Sequence, residues 1–280
     1  MLFYRRIFTL LLILNFYHLS GQIRCVSYNI RYANIYDSLN DWGHRSNPIS
    51  SQIVNYRADF IGLQEALYLQ IKHIQNSLDS NYNFIGVGRD QGDSVGEHCP
   101  LFYRSDLYYK VVDDIAGSTF WLSETPKVPS KSWDASLPRI ATGALFQNKV
   151  TKMYVYVLNT HFDHIGNEAR VNSMYLIYNH IKPYLDRNIP VILMGDFNLQ
   201  PTSEPIKWIS TKLVDCRMFE NDTPKHTFNG FKESQTGPVI DYIFTNILTK
   251  NITYKVDQST RGKGLFFSDH FPVIVDFKGL

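Results

Sequence analysis

Cysteine is scarce in this chain: Cys25, Cys99 and Cys216 are all that 280 residues hold. Three scattered thiols are too few for a disulfide framework or a thiolate zinc centre, both of which need several ligands at short spacings. One pair at most can bridge, and the spacing does not say which. Cys99, beside Glu97 and His98, is weighed as a nucleophile and ranked behind the commoner role of a small buried hydrophobe. Surplus charge is missing too. Without Arg5 and Arg6 near the N-terminus, 28 Lys and Arg become 26, against 26 Asp and Glu. A neutral body gives no encouragement to tight nonspecific nucleic-acid binding, which is driven by counterion release from clustered positive charge. Repeats, low-complexity stretches and Pro/Gly/Ser-rich linkers are absent as well, so one large domain over 22–280 is expected. The segments 92–96 and 123–136 read as ordinary surface loops.

One hydrophobic run stands out, residues 7–14, preceded by Arg5-Arg6 and followed by Leu19-Ser20-Gly21. Residues 1–21 therefore read as a secretory signal peptide cut after Gly21. An uncleaved anchor is disfavoured, because Asn15 and His18 keep the run short of the ~20 residues a bilayer requires. The expectation is a secreted or periplasmic monomer with no stable membrane insertion after cleavage. Asn221-Asp222-Thr223 and Asn251-Ile252-Thr253 are glycosylation sequons, meaningful only where the host modifies exported proteins.

Strand-like runs at 23–30, 59–64, 83–88, 99–104, 107–115, 141–147, 152–160, 191–195, 240–245 and 271–277 dominate what remains. Several are apolar on both faces, as strands inside a covered sheet must be. Helical spacing links Ile49, Ile53 and Val54, then Leu67, Ile71, Ile74 and Leu78, and most clearly Val171, Met174, Tyr175, Tyr178 and Ile181 within 167–185. Ten strands with about four helices predict an α/β sandwich of two packed mixed sheets with helices outside.

The ends of those strands carry the chemistry. Val191-Ile192-Leu193-Met194 runs into Gly195-Asp196-Phe197-Asn198, an acid and an amide where α/β enzymes keep their sites. Alone it reads equally well as a turn. Asn29, Gln64-Glu65, His161 with Asp163, Asp241, and Ser268-Asp269-His270 stand at five other strand ends. Asn29, Glu65, Asp196, Asn198, Asp269 and His270 make an oxygen-rich set without thiolate, which favours Mg²⁺, Mn²⁺ or Ca²⁺ over zinc. Mg²⁺ usually completes its shell with water and substrate phosphate, so a phosphate ester is the expected partner.

Six short motifs occur in order: Tyr28-Asn29-Ile30-Arg31, Gly62-Leu63-Gln64-Glu65, Asn159-Thr160-His161, Gly195-Asp196-Phe197-Asn198, Ile240-Asp241-Tyr242 and Ser268-Asp269-His270. Together they resemble the endonuclease/exonuclease/phosphatase superfamily over residues 23–277. The resemblance implies a four-layer α/β sandwich with the site at one edge of two sheets. It implies Glu65 as principal metal ligand, with Asn29 and Asp269 in support. Asp196 and Asn198 would orient the nucleophile or a second metal and contact the phosphate. His270, polarised by Asp241, would activate water or hold the phosphate, with His161 donating from the other side. Asn29-Ile30-Arg31 and Glu97 are similar to features of pancreatic deoxyribonucleases, which implies two pairs, Glu97 with His161 and Asp241 with His270. Arg139 and His164 match phosphate-contacting positions, and Asp163 is either support or a direct contact. His98, His44, Arg45 and Trp133 are softer pocket candidates.

Phe120-Trp121-Leu122-Ser123-Glu124-Thr125-Pro126 resembles an exported branch of that superfamily without a dependable substrate. The leading expectation is a metal-dependent phosphoesterase acting on a small or mid-sized mono- or diester. A secreted nuclease is the alternative, and a sphingomyelinase-like lipid phosphodiesterase is a third. A catalytically silent binding module is disfavoured, because no metal ligand or histidine of the set is missing.

Overall fold

The computed structural model describes residues 22–112, 118–220, 225–234, 236–249 and 251–279. The expected signal peptide and the Asn221 sequon lie outside them. The first sheet contains β1 (Gln22–Asn29), β2 (Phe60–Gln64), β3 (Tyr82–Ile85), β4 (Leu101–Arg104), β12 (Asn251–Val256) and β13 (Val273–Lys278), in the order β12-β13-β1-β2-β4-β3. The second contains β5 (Tyr108–Lys110), β7 (Ile140–Asn148), β8 (Tyr154–His161), β9 (Val191–Asp196), β10 (Val214–Asp215) and β11 (Asp241–Thr245), in the order β10-β11-β9-β8-β7-β5, with β6 (Thr119–Trp121) on β7. Each sheet has one parallel pair joined through a helix. β1 and β2 are linked by α1 (Trp42–Tyr56), and β8 and β9 by α3 (Asn167–Leu185). α2 (Tyr68–Ser77) and α4 (Glu204–Ile209) complete the described α-helices.

Period-two alternation explains the layers. Cys25, Phe60, Val157, Met194 and Ile243 face a core between the sheets. Their neighbours face outward. Val26, Ile61 and Leu63 pack on Ile49 and Ile53 of α1 and Ile71 and Ile74 of α2. Tyr156, Leu158, Leu193 and Phe244 pack on Met174, Ile177 and Ile181 of α3. Helix, sheet, sheet, helix is the expected four-layer sandwich, and each fully buried large side chain contributes about 2 kcal/mol.

Some local expectations change. The run 107–115 yields only β5, and 113–117 fall outside the described residues. β6, β10 and β12 were not anticipated; β12 alternates exposed and buried residues at the sheet edge, and its Asn251 sequon is exposed. Val171 and Tyr175 of α3 are exposed, and the buried face uses Ala169, Ser173, Met174, Ile177, Ile181 and Tyr184. Tyr175 and Tyr178 set their rings edge-on to Trp208 of α4, with Tyr178 and Trp208 partly buried against the core. All three cysteines are free and buried. Among the described residues, no helix is long and apolar enough to cross a membrane.

Candidate active site

The inner-face alternation that builds the core continues past it to one edge of the sandwich. Four residues beyond Cys25 is Asn29, two beyond Met194 is Asp196, four beyond Val157 is His161, and two before Ile243 is Asp241. Register aligns them: Asn29 lies opposite Gln64, and Asp196 lies between His161 on one side and Asp241 on the other. Ser268-Asp269-His270 leads into β13 at the same edge. The parallel pairs end here, where loops are free to supply side chains.

Glu65 does not follow the alternation. It takes a left-handed φ of 57°, as do Arg31 at 55° and Asn198 at 49°, conformations that cost a non-glycine residue about 1 kcal/mol or more. The turn brings the Glu65 carboxylate to Asn29 Nδ2 at 3.1 Å and to the Tyr32 backbone N–H at 3.2 Å. Asn29 Nδ2 also donates to Asp196 Oδ2 at 3.0 Å, while its oxygen accepts from the Arg31 N–H at 3.0 Å. Asn29 thus ties Glu65 and Asp196 together through its nitrogen. The Arg31 guanidinium stands 4.0 Å from Glu65 and 3.9 Å from Asp269, tied back to Asp37.

Asp196 sits at the centre. His161 Nε2 is 3.4 Å away and His270 Nε2 is 3.7 Å away, and its other oxygen accepts from the Asn198 N–H at 2.9 Å. His270 Nδ1 lies 2.9 Å from Asp241 Oδ2, and the remaining Asp241 Oδ1 is buried without a partner among the described residues. Thr227 fixes this acid's strand end, its hydroxyl oxygen accepting from the Ile240 and Asp241 N–H groups. The two histidines are driven apart. Burial, then the Arg139 and Arg89 guanidiniums, holds His161 well below the usual imidazole range. Burial also opposes the charged form of His270, but Asp241, Asp196 and the hydrogen bond to Asp241 outweigh it and push the ring up to about 10. Burial and Asp241 raise Asp196, and burial with Glu65 raises Asp269.

Crowded, buried carboxylates of this kind suit a divalent cation, which relieves their repulsion. Glu65 and Asp269 both face the Arg31 guanidinium and feel each other's charge, two carboxylates that could share such an ion. Asp196, Asp241 and His270 form another group, with one ligand atom each within 4.8 Å of one another.

The remaining expected residues sort differently. Glu97 does not pair with His161: its carboxylate binds Arg89 Nη1 at 2.7 Å, a cation on the neighbouring loop strand competing successfully for it. Burial, against Arg89, raises Glu97. His161 instead has Asn198 Nδ2 at 3.1 Å and Arg139 Nη1 at 3.1 Å. Arg139 also donates to His164 Nδ1 at 3.0 Å, so Arg139 and the exposed His164 reach the site together. Asp163 is buried and braces the backbone. Its oxygens accept from the Ser136, Leu137, Ile165 and Gly166 N–H groups, which hold its carboxyl down to about 2 against the cost of burial. Arg45 is fully buried and donates to the carbonyls of Ile30, Arg31, Asn40 and Phe267, bracing the loops that carry Arg31 and Asp269. His44 is exposed and pairs with Asp41, and buried His98 knits Gly96 and Ala66. Trp133 has a left-handed φ of 56° and no described contact with the site.

Sequence reasoning missed Arg89, Thr227 and the inter-sheet amide pair in which Gln64 Nε2 donates to Asn159 Oδ1 at 2.6 Å. The last was legible as an amide on each inner face.

The endonuclease/exonuclease/phosphatase family model matches residues 26–270. A protein of that family from Bacteroides thetaiotaomicron is 37% identical, covering 92% of this chain and 98% of its own, with a TM-score of 0.82. A mannosyl-6-phosphatase from Bacteroides thetaiotaomicron VPI-5482 is also 37% identical, over 90% of this chain and 98% of its own, with a TM-score of 0.81. An uncharacterized protein of Acanthamoeba polyphaga mimivirus is 27% identical over 261 residues, 87% of this chain and 94% of its own.

Proposed function

This chain belongs to the endonuclease/exonuclease/phosphatase family, and from that premise we propose that it is an exported, divalent-metal-dependent phosphoesterase that hydrolyses a phosphate monoester of a small polyhydroxylated molecule such as a sugar. The carrying observation is the placement of Asp196 among His161, His270 and Asn29, each within 3.7 Å. The 37% likeness to a mannosyl-6-phosphatase over nearly the whole chain favours the sugar phosphate. The neutral charge balance disfavours a nucleic-acid polymer.

In this reading Glu65 and Asp269 would hold Mg²⁺ or Mn²⁺, with Asn29 keeping Glu65 in place. Such an ion would supply Lewis-acid polarisation of the phosphoryl group and stabilisation of the leaving oxygen. His270, kept as imidazolium by Asp241, pairs with phosphate oxygens. Asp196 accepts a proton from the attacking water, oriented by Asn198, as the new P–O bond forms and the ester P–O bond breaks, and the alcohol leaves with a proton from solvent. His161, kept neutral, hydrogen-bonds on the opposite side, with Arg139 and His164 on the phosphate.

The test is a side-by-side panel of mannose 6-phosphate, other sugar phosphates, nucleotides, inositol phosphates, phospholipids, RNA and DNA, with and without chelator. Fastest turnover on sugar monophosphates that stops with EDTA supports the reading. Preference for polymeric DNA, or metal-independent turnover, sinks it.

A further inference from the structure

Arg89 and Arg139 are both more than nine-tenths buried, and in each the Nε–H finds no hydrogen-bond partner among the described residues. Each Nε faces a carboxylate beyond hydrogen-bond reach, so the two charges are balanced from one side, and the recess they share is where the pair of buried cations meets the site. The two guanidiniums line one narrow recess together with His161, Glu97, Cys99 and Ile140. It is small, about 160 Å³ of empty space counted with its open mouth. Each wall has a fixed support. Glu97 holds Arg89 Nη1 at 2.7 Å, and the Trp121 Nε1–H donates to the Arg89 carbonyl at 2.6 Å. Asp90 Oδ1 stands 3.7 Å from Arg89 Nε, too far for a hydrogen bond. Asp163 stands 3.6 Å from Arg139 Nε, equally short of one.

We propose that this recess accepts a terminal phosphate oxygen, and that Arg89, held by Glu97, selects phosphate monoesters over diesters. The inference rests on the monoester reading above. A monoester presents three terminal oxygens and close to two negative charges at neutral pH. One of those oxygens enters between Arg89 and Arg139 while the phosphorus stays over His161. A diester offers only two bare oxygens and a single negative charge, so it neutralises the paired guanidiniums less completely. Glu97 is then a positioning residue for Arg89.

The experiment compares 4-nitrophenyl phosphate with bis(4-nitrophenyl) phosphate for the full chain and for Arg89→Met, Arg89→Lys and Glu97→Gln. Arg89→Met is expected to lower monoester kcat/KM by about 100-fold, as loss of one anion-stabilising donor does, with the diester changed by less than roughly threefold. Arg89→Lys keeps the charge without the fork, so it falls between, and it carries the test where Arg89→Met does not fold. Inhibition by inorganic phosphate weakens in parallel. Equal losses on both esters, or an unchanged monoester preference in a folded Arg89 variant, overturn the role of Arg89 alone. A wild-type protein that cleaves the diester and not the monoester overturns the monoester reading as well.

Discussion

Asp241 Oδ2 and His270 Nδ1 meet at 2.9 Å inside the protein, and His270 Nε2 then faces Asp196 at 3.7 Å. The imidazolium is flanked by two buried carboxylates, so its charge belongs to the fold as much as to the chemistry.

His270→Ala removes that charge and leaves Asp241 and Asp196 facing each other. Turnover is expected to fall by about 10²- to 10⁴-fold, and stability by about 3 kcal/mol, since a buried charge loses its partner. The double change Asp241→Asn with His270→Ala recovers much of the stability and none of the activity. Thermal melts of the three proteins check this, and an unchanged melting temperature for His270→Ala would show the pair to be uncoupled.

Mg²⁺ or Mn²⁺ added to metal-free protein raises the melting temperature by several degrees, in proportion to the logarithm of its excess over Kd. Glu65→Gln with Asp269→Asn abolishes the shift. Calorimetric melts with 10 mM EDTA against roughly 10 mM Mg²⁺ decide the matter; identical curves count against a cation at these carboxylates.

Asp163 is held at about 2 by four backbone amides, below the ~3.9 of an unfolded aspartate. Its folded pKa is depressed, so its contribution is complete above about pH 5 and drains as pH falls toward 2. Asp163→Asn costs about 2 kcal/mol at pH 7, and the melting-temperature gap to wild type narrows between pH 6 and pH 3. A gap constant across that range contradicts the assignment.

Gly195 has φ 154°, and a Cβ there would stand 2.1 Å from the Thr160 carbonyl oxygen. Gly195→Ala therefore forces β8 and β9 apart one residue before Asp196, at a cost of more than about 3 kcal/mol. Urea unfolding measures the loss, and a variant within about 0.5 kcal/mol of wild type refutes the steric argument.

The strand-like runs were readable from the sequence, and with them the strand ends at Asn29, Gln64, His161, Asp196 and Asp241. Parity alone places those side chains on the inner faces, because a strand that buries Met194 between the sheets must turn Asp196 the same way. Helical periodicity likewise gave Ile49 and Ile53 of α1 and Ile71, Ile74 and Leu78 at α2, while Val54, read into the first stripe, is exposed. The third blurred where Tyr175 and Tyr178 turned to Trp208, a contact between helices that periodicity does not encode.

Partner choice was not readable. Glu97 sits eight residues from Arg89 and 64 from His161 in sequence, and only the folded loop decides that the arginine claims it. Arg45 was a soft candidate for the pocket, yet its side chain is spent on four carbonyls from three segments. By itself the sequence determined the layers, the edge and the residue types that gather there, all consequences of local alternation and order along the chain. Tertiary structure decided which charge neutralises which, because electrostatic pairing depends on distances between segments remote in sequence and on the water that folding removes from between them.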